Sequence, residues 1–303
     1  MNDKENQKTN NEEITPEEDS TDKKKMTRRQ FIKNALRIGI YTSVVGLGLY
    51  SFLYEPGHIT MERLELPVHN LPPYWEGKKI VLVSDIHRSE VVSTDFLSKA
   101  FQKINAEKPD VIFLTGDYVT GSREYIDSLK SLLLKLKTKT GDGGKIAVLG
   151  NHDYWTDADY IKKRLTQGGF QILVNEKKDI GPTGAKLRIL GADDLWCGVK
   201  DIKRLLGMVN PDRDAVILLS HNPDIFLDKE FGKIPVTVLA GHTHGGQVNL
   251  PIIGAPIVPA KFVRGFYKKG ESLMYVNRGL GLIAPPIRFN CPPEITVFKL
   301  VKE

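Results

Sequence analysis

Three short apolar runs, spaced about one βαβ unit apart, constrain the fold of this chain most strongly. They are Lys79–Ser84, Val111–Thr115 and Lys145–Leu149, and their last residues are 31 and 34 residues apart. Strands buried on both faces of a parallel sheet are continuous apolar runs of this kind. A strand, a crossover helix and the next parallel strand need about 30 residues or more. The spacing therefore predicts parallel strands joined by helices, which is an α/β fold.

The rest of the pattern favours the same class. Helices are predicted from Asp95 to about Lys108 and over 122–138, where apolar residues recur at helical spacing. A stretch rich in Pro, Gly and Lys at 251–270 is predicted to be an excursion or a hairpin. Further strands are predicted at 171–174, 187–190, 215–219, 236–239, 273–276 and 295–300. Residues 55–303 are enough for one domain with a sizeable core.

Polar clusters follow five of these predicted strands. In open α/β sheets, sites form outside the carboxyl ends of the strands, so we expect the five clusters at one edge. A single histidine, or an Asp after a strand, is more often a surface or turn residue. Here five of the seven histidines fall in the clusters, and only His58 and His69 lie outside them. The clusters are Asp85-Ile86-His87, Gly116-Asp117, Gly150-Asn151-His152-Asp153, Ser220-His221-Asn222 and Gly241-His242-Thr243-His244.

The residue types in these clusters indicate a metal site. Asp, His and Asn are ligands suited to Mn, Fe or Zn, and no Cys lies nearby to form a thiolate site. The i, i+2 spacing of Asp85 and His87 places both side chains on one side of an extended segment. Seven candidate ligands besides His152 are too many for one tetrahedral ion. They suit two divalent ions that share a bridging carboxylate, for which Asp117 is the natural choice.

The net charge of the chain is +6, but it is unevenly placed. Residues 1–22 hold eight acids and two lysines with almost no apolar residue, which predicts a disordered acidic tail over 1–25. Residues 23–37 hold seven basic residues, and 38–54 hold no charge. A basic flank before an apolar run is typical of a targeting segment. The basic residues are not interleaved with aromatic residues along the chain, so a nucleic-acid partner is not favoured.

Residues 26–54 are predicted to be an export signal or a membrane anchor. Thr27-Arg28-Arg29-Gln30-Phe31-Ile32-Lys33 resembles the twin-arginine signal, which is an address read by a translocase. No Ala-x-Ala cleavage site follows, and the uncharged run 38–54 is at the short end for a bilayer span. We therefore keep two alternatives open, a released protein and an uncleaved anchor that contacts the membrane through 38–54. Met26 is an alternative start to Met1.

The ordered set of five clusters is similar to that of the calcineurin-like metallophosphoesterases. With the export signal, and with Gly241–Gln247 and Pro286-Ile287-Arg288-Phe289, it resembles the exported branch of that family, of the YkuE and YaeI type. The resemblance covers about residues 79–300. It implies a four-layer αββα sandwich of two mixed β-sheets flanked by helices, a metallophosphoesterase domain over 55–303, and hydrolysis of phosphoesters with two divalent ions.

The resemblance also implies a role for each cluster residue. Asp85, His87 and His244 would hold one ion, Asn151, His221 and His242 the other, and Asp117 would bridge them. His152 would be no ligand but a catalytic residue that faces the phosphate, with Asp153 orienting its imidazole.

The motifs do not separate monoester, diester and pyrophosphate substrates. We expect a phospholipid or another cell-envelope phosphodiester, met on the outer face of the cytoplasmic membrane, in the cell wall or after secretion. Alternatives are pyrophosphate hydrolysis of UDP-2,3-diacylglucosamine, and a metal-containing module that binds wall polymer without catalysis. Lys261, Arg264, Lys268 and Lys269 either recognise an anionic polymer or form a solvated loop.

Two smaller features stay open at this stage. Cys197 and Cys291 could form a disulfide if the fold brings them together. Trp155 could line the site or begin a helix, whereas Trp75 and Trp196 are predicted to be core residues.

Overall fold

The computed structural model describes residues 26–210 and 212–303, so the acidic tail predicted for 1–25 lies outside the described residues. The chain divides into two compact units, with the boundary between Gly46 and Leu47. Helix α1 (Arg28–Leu49) carries the paired arginines in its first turn. In the described part of the chain, only the stretch from Arg28 to Gly57 is long and apolar enough to cross a membrane. An N-terminal signal sequence passes that test of length and composition equally well.

The larger unit contains two six-stranded β-sheets. The strands of the first sheet are β1 (Thr60–Val68), β2 (Lys79–Val83), β3 (Val111–Thr115), β4 (Lys145–Val148), β5 (Gln171–Ile172) and β12 (Glu294–Lys302). The strands of the second sheet are β6 (Glu176–Ile180), β7 (Leu187–Gly191), β8 (Ala215–Leu219), β9 (Thr237–Ala240), β10 (Gly265–Lys269) and β11 (Ser272–Val276).

Both sheets are mixed. In the first, the order is β1-β12-β2-β3-β4-β5, and β2 to β5 run parallel while β12 is antiparallel to β2. In the second, the order is β10-β11-β9-β8-β7-β6, with a parallel centre and an antiparallel strand at each edge. The parallel strands of each sheet therefore direct their carboxyl ends to the same edge of that sheet.

Alternation along the strands divides the interior into three apolar layers. Val81 and Val83 face α2 (Thr94–Ala106), α3 (Tyr125–Leu133) and α4 (Asn151–Gln167). Their neighbours Ile80 and Leu82 point the other way and pack against the second sheet. The outer face of the second sheet packs against α5 (Ile202–Leu206). The sequence prediction of an αββα sandwich with two mixed sheets is confirmed.

The predicted elements differ from the structure mainly at the edges of the sheets. β1 and β6 are charged and only partly buried, so their composition lacks the apolar run that identified the central strands. The predicted helix 122–138 is shorter, because turns flank α3 on both sides. Helix α2 begins one residue before the predicted Asp95, because the Ser93 hydroxyl caps it and accepts from the Phe96 amide at 3.2 Å. At the end of 251–270, β10 pairs with β11 in a hairpin, which was one of the two structures predicted for this stretch.

Candidate metal centre

The five polar clusters meet where the carboxyl edges of the two sheets come together. Asp85 and Asp117 follow the neighbouring parallel strands β2 and β3, and Asn151 opens α4 directly after β4. His221 follows β8, and His242 follows its neighbour β9. All seven predicted ligand side chains are buried. The sandwich thus brings together residues that are up to 159 positions apart in the sequence.

One group of potential ligands consists of Asp85, His87 and His244, whose ligand atoms all lie within 4.8 Å of one another. The Nε2 atoms of His87 and His244 are 2.9 Å apart. The Asp85 Oδ1 atom lies 3.6 Å from His244 Nε2 and 3.9 Å from His87 Nε2. Two imidazole nitrogens and a carboxylate oxygen that face one point are a donor set that fits a divalent transition metal.

A second group consists of Asn151, His221 and His242, together with Asp117. His221 Nε2 lies 3.0 Å from Asn151 Oδ1 and 3.0 Å from His242 Nδ1. Asp117, His221 and His242 also have ligand atoms within 4.8 Å of one another. This set again combines imidazole nitrogens with side-chain oxygens.

The Asp117 carboxylate lies between the two groups. Its Oδ2 atom is 3.5 Å from His87 Nε2 in the first group and 3.2 Å from His221 Nε2 in the second. Its Oδ1 atom accepts a hydrogen bond from the backbone amide of His152 at 2.9 Å. One oxygen is therefore fixed to the backbone, and the other faces both groups at once.

The backbone of most of the predicted ligands adopts an unfavourable conformation that directs their side chains toward the centre. Asp85, His87, Asp117, His242 and His244 all have a positive φ, between 45° and 75°. Non-glycine residues adopt this region infrequently, and such strain is concentrated at functional sites. Gly116 (φ 95°) is needed as glycine, because a Cβ atom there would lie 2.7 Å from both Gly150 N and His221 Nδ1.

Hydrogen bonds fix the orientation of two of the imidazoles. The Thr120 hydroxyl lies 2.6 Å from His87 Nδ1, and the Thr115 carbonyl lies 2.8 Å from His221 Nδ1. A bond at Nδ1 leaves Nε2 directed into the centre, which is how ligating histidines are usually held. By contrast, His244 Nδ1 and His242 Nε2 are buried and have no hydrogen-bond partner among the residues that the structure describes.

Burial sets the protonation of most of these groups. It lowers the pKa of His87 to about 3 and that of His242 to about 3. Both imidazoles are therefore neutral at pH 7, which is the form that binds a cation. Burial also acts to lower the pKa of His221, but the nearby Asp117 carboxylate outweighs it and raises that pKa to about 10. A cation bound beside His221 would replace this proton.

His152 lies next to the ligands rather than among them. It is half-buried, and its ring packs edge to face against that of His87 with centroids 4.8 Å apart. Its Nδ1 atom lies 3.4 Å from the Thr120 hydroxyl. Burial lowers the pKa of His152 from 6.5, so the imidazole is mostly neutral near pH 7. The backbone amide of His152, in the first turn of α4, is bonded to Asp117 Oδ1 at 2.9 Å, which ties the start of this helix to the centre.

The prediction that Asp153 orients the His152 imidazole is wrong. Its Oδ2 atom accepts from the amides of Asp117 and Gly150 at 2.9 Å each, and its Oδ1 atom accepts from the amide of Tyr118 at 2.9 Å. Because Asp153 is at the third position of α4, its fully buried carboxylate points back across the helix start. It therefore positions the loop that carries Asp117, and we assign it a positioning role.

Two exposed tryptophans stand at the rim. The Trp155 ring lies 4.8 Å from that of His152, and the Trp196 ring packs edge to face against His242 at 4.4 Å. Trp155 therefore lines the site, and the prediction of a core position for Trp196 is wrong, since 50% of its surface is exposed. Trp75 is fully buried, as predicted. Trp196 belongs to the loop after β7, where Gly191-Ala192-Asp193-Asp194 repeats the strand-end pattern that identified the other clusters.

The last site segment is held by Arg288. Its buried guanidinium donates to the carbonyls of Arg278, Gly279 and Gly281 at 2.6 to 3.0 Å. The Gly281 amide in turn donates to the Asp85 carbonyl at 2.7 Å. Arg288 thus stabilises the loop that packs against Asp85. Cys291 is buried and its thiol donates to the His244 carbonyl at 3.2 Å, whereas Cys197 is exposed, and both are free thiols.

This fold and this donor set define a metallophosphoesterase, a hydrolase of phosphoesters that uses divalent metal ions. Residues 78–246 match the calcineurin-like phosphoesterase family, and the chain belongs to it. The chain is 37% identical to the uncharacterized metallophosphoesterase YkuE of Bacillus subtilis, over 91% of this chain and 98% of that protein. It is 31% identical to the phosphodiesterase YaeI of Escherichia coli, over 91% of this chain and all of that protein.

One solved structure that matches part of this chain is the sulfate thiohydrolase SoxB of Thermus thermophilus. It superposes with a TM-score of 0.45 and 14% identity, over 77% of this chain and 58% of that chain.

Proposed function

We propose that the chain holds two divalent cations, Mn, Fe or Zn, and hydrolyses a phosphodiester on the outer side of the cytoplasmic membrane. Asp85, His87 and His244 would hold one cation, and Asn151, His221 and His242 the other. The observation that carries this proposal is the Asp117 carboxylate, whose Oδ2 atom faces both groups within 3.5 Å. The similarity to YaeI of Escherichia coli, which is named a phosphodiesterase, supports a diester as the substrate.

When bound, the cations supply Lewis acidity that activates water and neutralises phosphoryl charge. The protein supplies the geometry around them. His152 is positioned to donate a hydrogen bond from its imidazole to a phosphoryl oxygen or to the leaving oxygen. The negative charge of a bound phosphate acts to raise the pKa of His152 again, which favours the protonated imidazole that can serve as the donor.

The test of this proposal is the Asp117→Asn variant. Its control is Asp159→Asn, which changes an exposed carboxylate on helix α4. We expect purified wild type and Asp159→Asn to carry metal by mass spectrometry and to cleave bis(p-nitrophenyl) phosphate with Mn²⁺. Asp117→Asn should lose metal and activity together, since the shared oxygen loses its charge. Full metal content in Asp117→Asn, or no phosphoester cleavage by wild type, would contradict the proposal.

A substrate panel with the same purified wild-type protein distinguishes two alternative functions. A pyrophosphate hydrolase would prefer a nucleotide-lipid pyrophosphate such as UDP-2,3-diacylglucosamine over every diester in a substrate panel. A wall-polymer binding module would carry metal and bind teichoic acid but turn over none of the panel. We favour hydrolysis, because His152 lies beside the ligand groups without belonging to either.

Export through the twin-arginine translocase is the second part of the proposal, with retention at the membrane through 38–54 as its anchored form. The supporting observations are the paired arginines in the first turn of α1 and the length and composition of Arg28–Gly57. Exchange of both Arg28 and Arg29 for Lys keeps the charge and should abolish export, measured by cell fractionation. Arg37→Lys is the control and should be exported normally. Normal export of the double variant would overturn this part.

A further inference from the structure

An exposed apolar loop lies beside the candidate metal centre. The fourteen residues from Gln247 to Ala260 contain no charge, and we call this segment the apolar loop. Ile252 at its tip is fully exposed, and Ile253 and Ile257 are 72% and 83% exposed. Contiguous apolar side chains on a soluble surface mark an interaction site more often than single ones do.

The tip of the apolar loop has a defined conformation. Leu250 and Gly254 exchange two backbone hydrogen bonds of 2.9 and 2.8 Å, which close a tight turn around Pro251, Ile252 and Ile253. Ile252 has a φ of 73°, a conformation that is unfavourable for a β-branched residue and that glycine or asparagine adopts more readily. The fold therefore presents an isoleucine to the exterior at a position where both burial and backbone geometry would favour another residue.

The loop is attached directly to the ligand segment. It begins after His244, where the buried Asn249 side chain donates to the Gly245 carbonyl at 3.0 Å. At its end, the Thr243 hydroxyl donates to the Val263 carbonyl, and the Lys261 amide donates to Asp224 at 2.8 Å. Both ends of the loop are thus fixed within a few residues of His242 and His244.

A cavity of about 360 Å³ lies between the apolar loop and the segment Ile283–Ile287, and we call it the apolar pocket. Val248, Ile257 and Val258 line it from the loop, and Ile283, Pro285 and Ile287 line it from the other side. His242 and His244 also line it, so the pocket adjoins the candidate metal centre. Its volume is within the range of about 300–1,000 Å³ that is usual for ligand sites.

Resting on the proposed function, we infer that the apolar loop inserts into the surface of a lipid bilayer and that the apolar pocket receives a chain of the lipid substrate. The substrate would then be a membrane lipid whose phosphoester reaches the metal centre while its chain leaves through the pocket. A polyol-phosphate wall polymer has no apolar part to fill such a pocket.

The charges near the loop fit an anionic bilayer. Lys261 and Arg264 are exposed and follow the apolar residues directly, an arrangement typical of protein segments that lie at a membrane surface. Lys268 and Lys269 contribute less, because Lys268 lies 3.8 Å from Glu303 and Lys269 donates to three carbonyls between Phe226 and Asp228. Of the four basic residues predicted to meet an anionic partner, Lys261 and Arg264 are therefore the two that we assign to this contact.

The loop is tested in the full chain by two reporters that do not depend on turnover. An environment-sensitive nitrobenzoxadiazole dye is attached to a cysteine introduced by Ile253→Cys. In the control protein the dye is attached at Leu134→Cys, an exposed position at the end of α3. Both proteins also carry Cys197→Ser, which removes the exposed native thiol. With phosphatidylglycerol vesicles, we expect a blue shift and at least a twofold rise in emission at 253 and none at 134. Equal responses at the two sites would overturn the inference.

Hydrolysis tests the same loop and separates it from the proposed function. The double variant Ile252→Asn, Ile253→Asn changes exposed side chains only, and Leu134→Asn is the matched control. All three proteins should cleave bis(p-nitrophenyl) phosphate within twofold of one another, and the double variant should cleave vesicle phospholipid at least tenfold more slowly. Equal lipid cleavage overturns this inference, whereas absence of all cleavage in wild type overturns the proposed function.

The pocket is tested with alkyl phosphates as inhibitors of the soluble reaction, below their micelle concentrations. Burial of each methylene should strengthen inhibition about fourfold from butyl to octyl phosphate. Inhibition that does not change with chain length would show that the pocket takes no chain.

Discussion

The two carboxylate oxygens of Asp117 have different partners, so this single residue has two separate roles in the site. Oδ1 is fixed by the His152 amide, and Oδ2 faces both histidine groups. The neighbouring residues His152 and Asp153 have equally distinct contacts. The His152 ring lies at the site, whereas the Asp153 carboxylate is bonded to three backbone amides.

His152→Ala should therefore keep the bound metal and lose turnover. No hydrogen bond to a ligand side chain is lost, but a proton donor for the leaving oxygen is removed. A general acid contributes about 10²- to 10⁴-fold, so kcat on a diester should fall by at least about a hundredfold. The measurements are metal content and steady-state kinetics, and unchanged kcat would refute the assigned role.

Asp153→Asn should have the opposite pattern. The amide nitrogen of Asn would face backbone N–H groups, and a buried acceptor of three backbone hydrogen bonds would be disrupted. Such a disruption costs roughly 3 kcal/mol of the free energy of unfolding, measured by urea denaturation, and metal content should fall as the Asp117 loop loosens. If the variant had wild-type stability and metal content, the positioning role would be untenable.

At the scale of elements, α4 supplies two functions from its two ends. Its first turn presents Asn151 and His152 to the site, and its later turns bury Ile161 and Leu165 against the first sheet. The helix is interrupted at Asp157, which is extended rather than helical. The Asp157 carboxylate accepts from the Tyr160 amide at 3.1 Å and contacts Arg123 at 2.7 Å. Asp157 thus caps the second helical segment.

Asp157→Ala should measurably lower the free energy of unfolding, as removal of a helix cap usually does. The exposed Asp159→Ala on the same helix is the control and should change stability by less than about 0.5 kcal/mol. Both are measured by urea denaturation of the metal-loaded protein. Equal effects of the two variants would mean that the cap contributes nothing.

At the scale of the whole molecule, the candidate centre joins the two sheets. β2, β3 and β4 supply ligands from the first sheet, and β8 and β9 supply them from the second. Cations bound there would link both halves of the sandwich and would bind only the folded chain, because these ligands are dispersed in the unfolded one.

Metal removal should therefore destabilise the wild-type protein. A ligand present at a hundred times its dissociation constant contributes about 2.7 kcal/mol to the free energy of unfolding. Chelation should lower the urea midpoint accordingly, while Asp117→Asn should not respond to the chelator. A wild-type midpoint that is insensitive to chelation would argue against structural coupling of the metals to the fold.

The sequence alone determined the central strands and the set of residues at their ends. Continuous apolar runs identify strands buried on both faces, and strand ends place polar residues at one edge, since both signals are local. The edge strands β1 and β6 lack that signal, because partly exposed strands tolerate charge. Family resemblance, rather than residue spacing, suggested how the ligands divide into two groups.

The roles of these residues depend on how the chain packs in three dimensions. It directed the Asp153 carboxylate to the backbone instead of His152, brought Trp196 to the rim, and placed the apolar pocket beside His242 and His244. Each of these features depends on contacts between segments that are distant in the sequence. Such contacts are set by the packing of two sheets and by the left-handed backbone at the ligands, neither of which a local pattern of residues encodes.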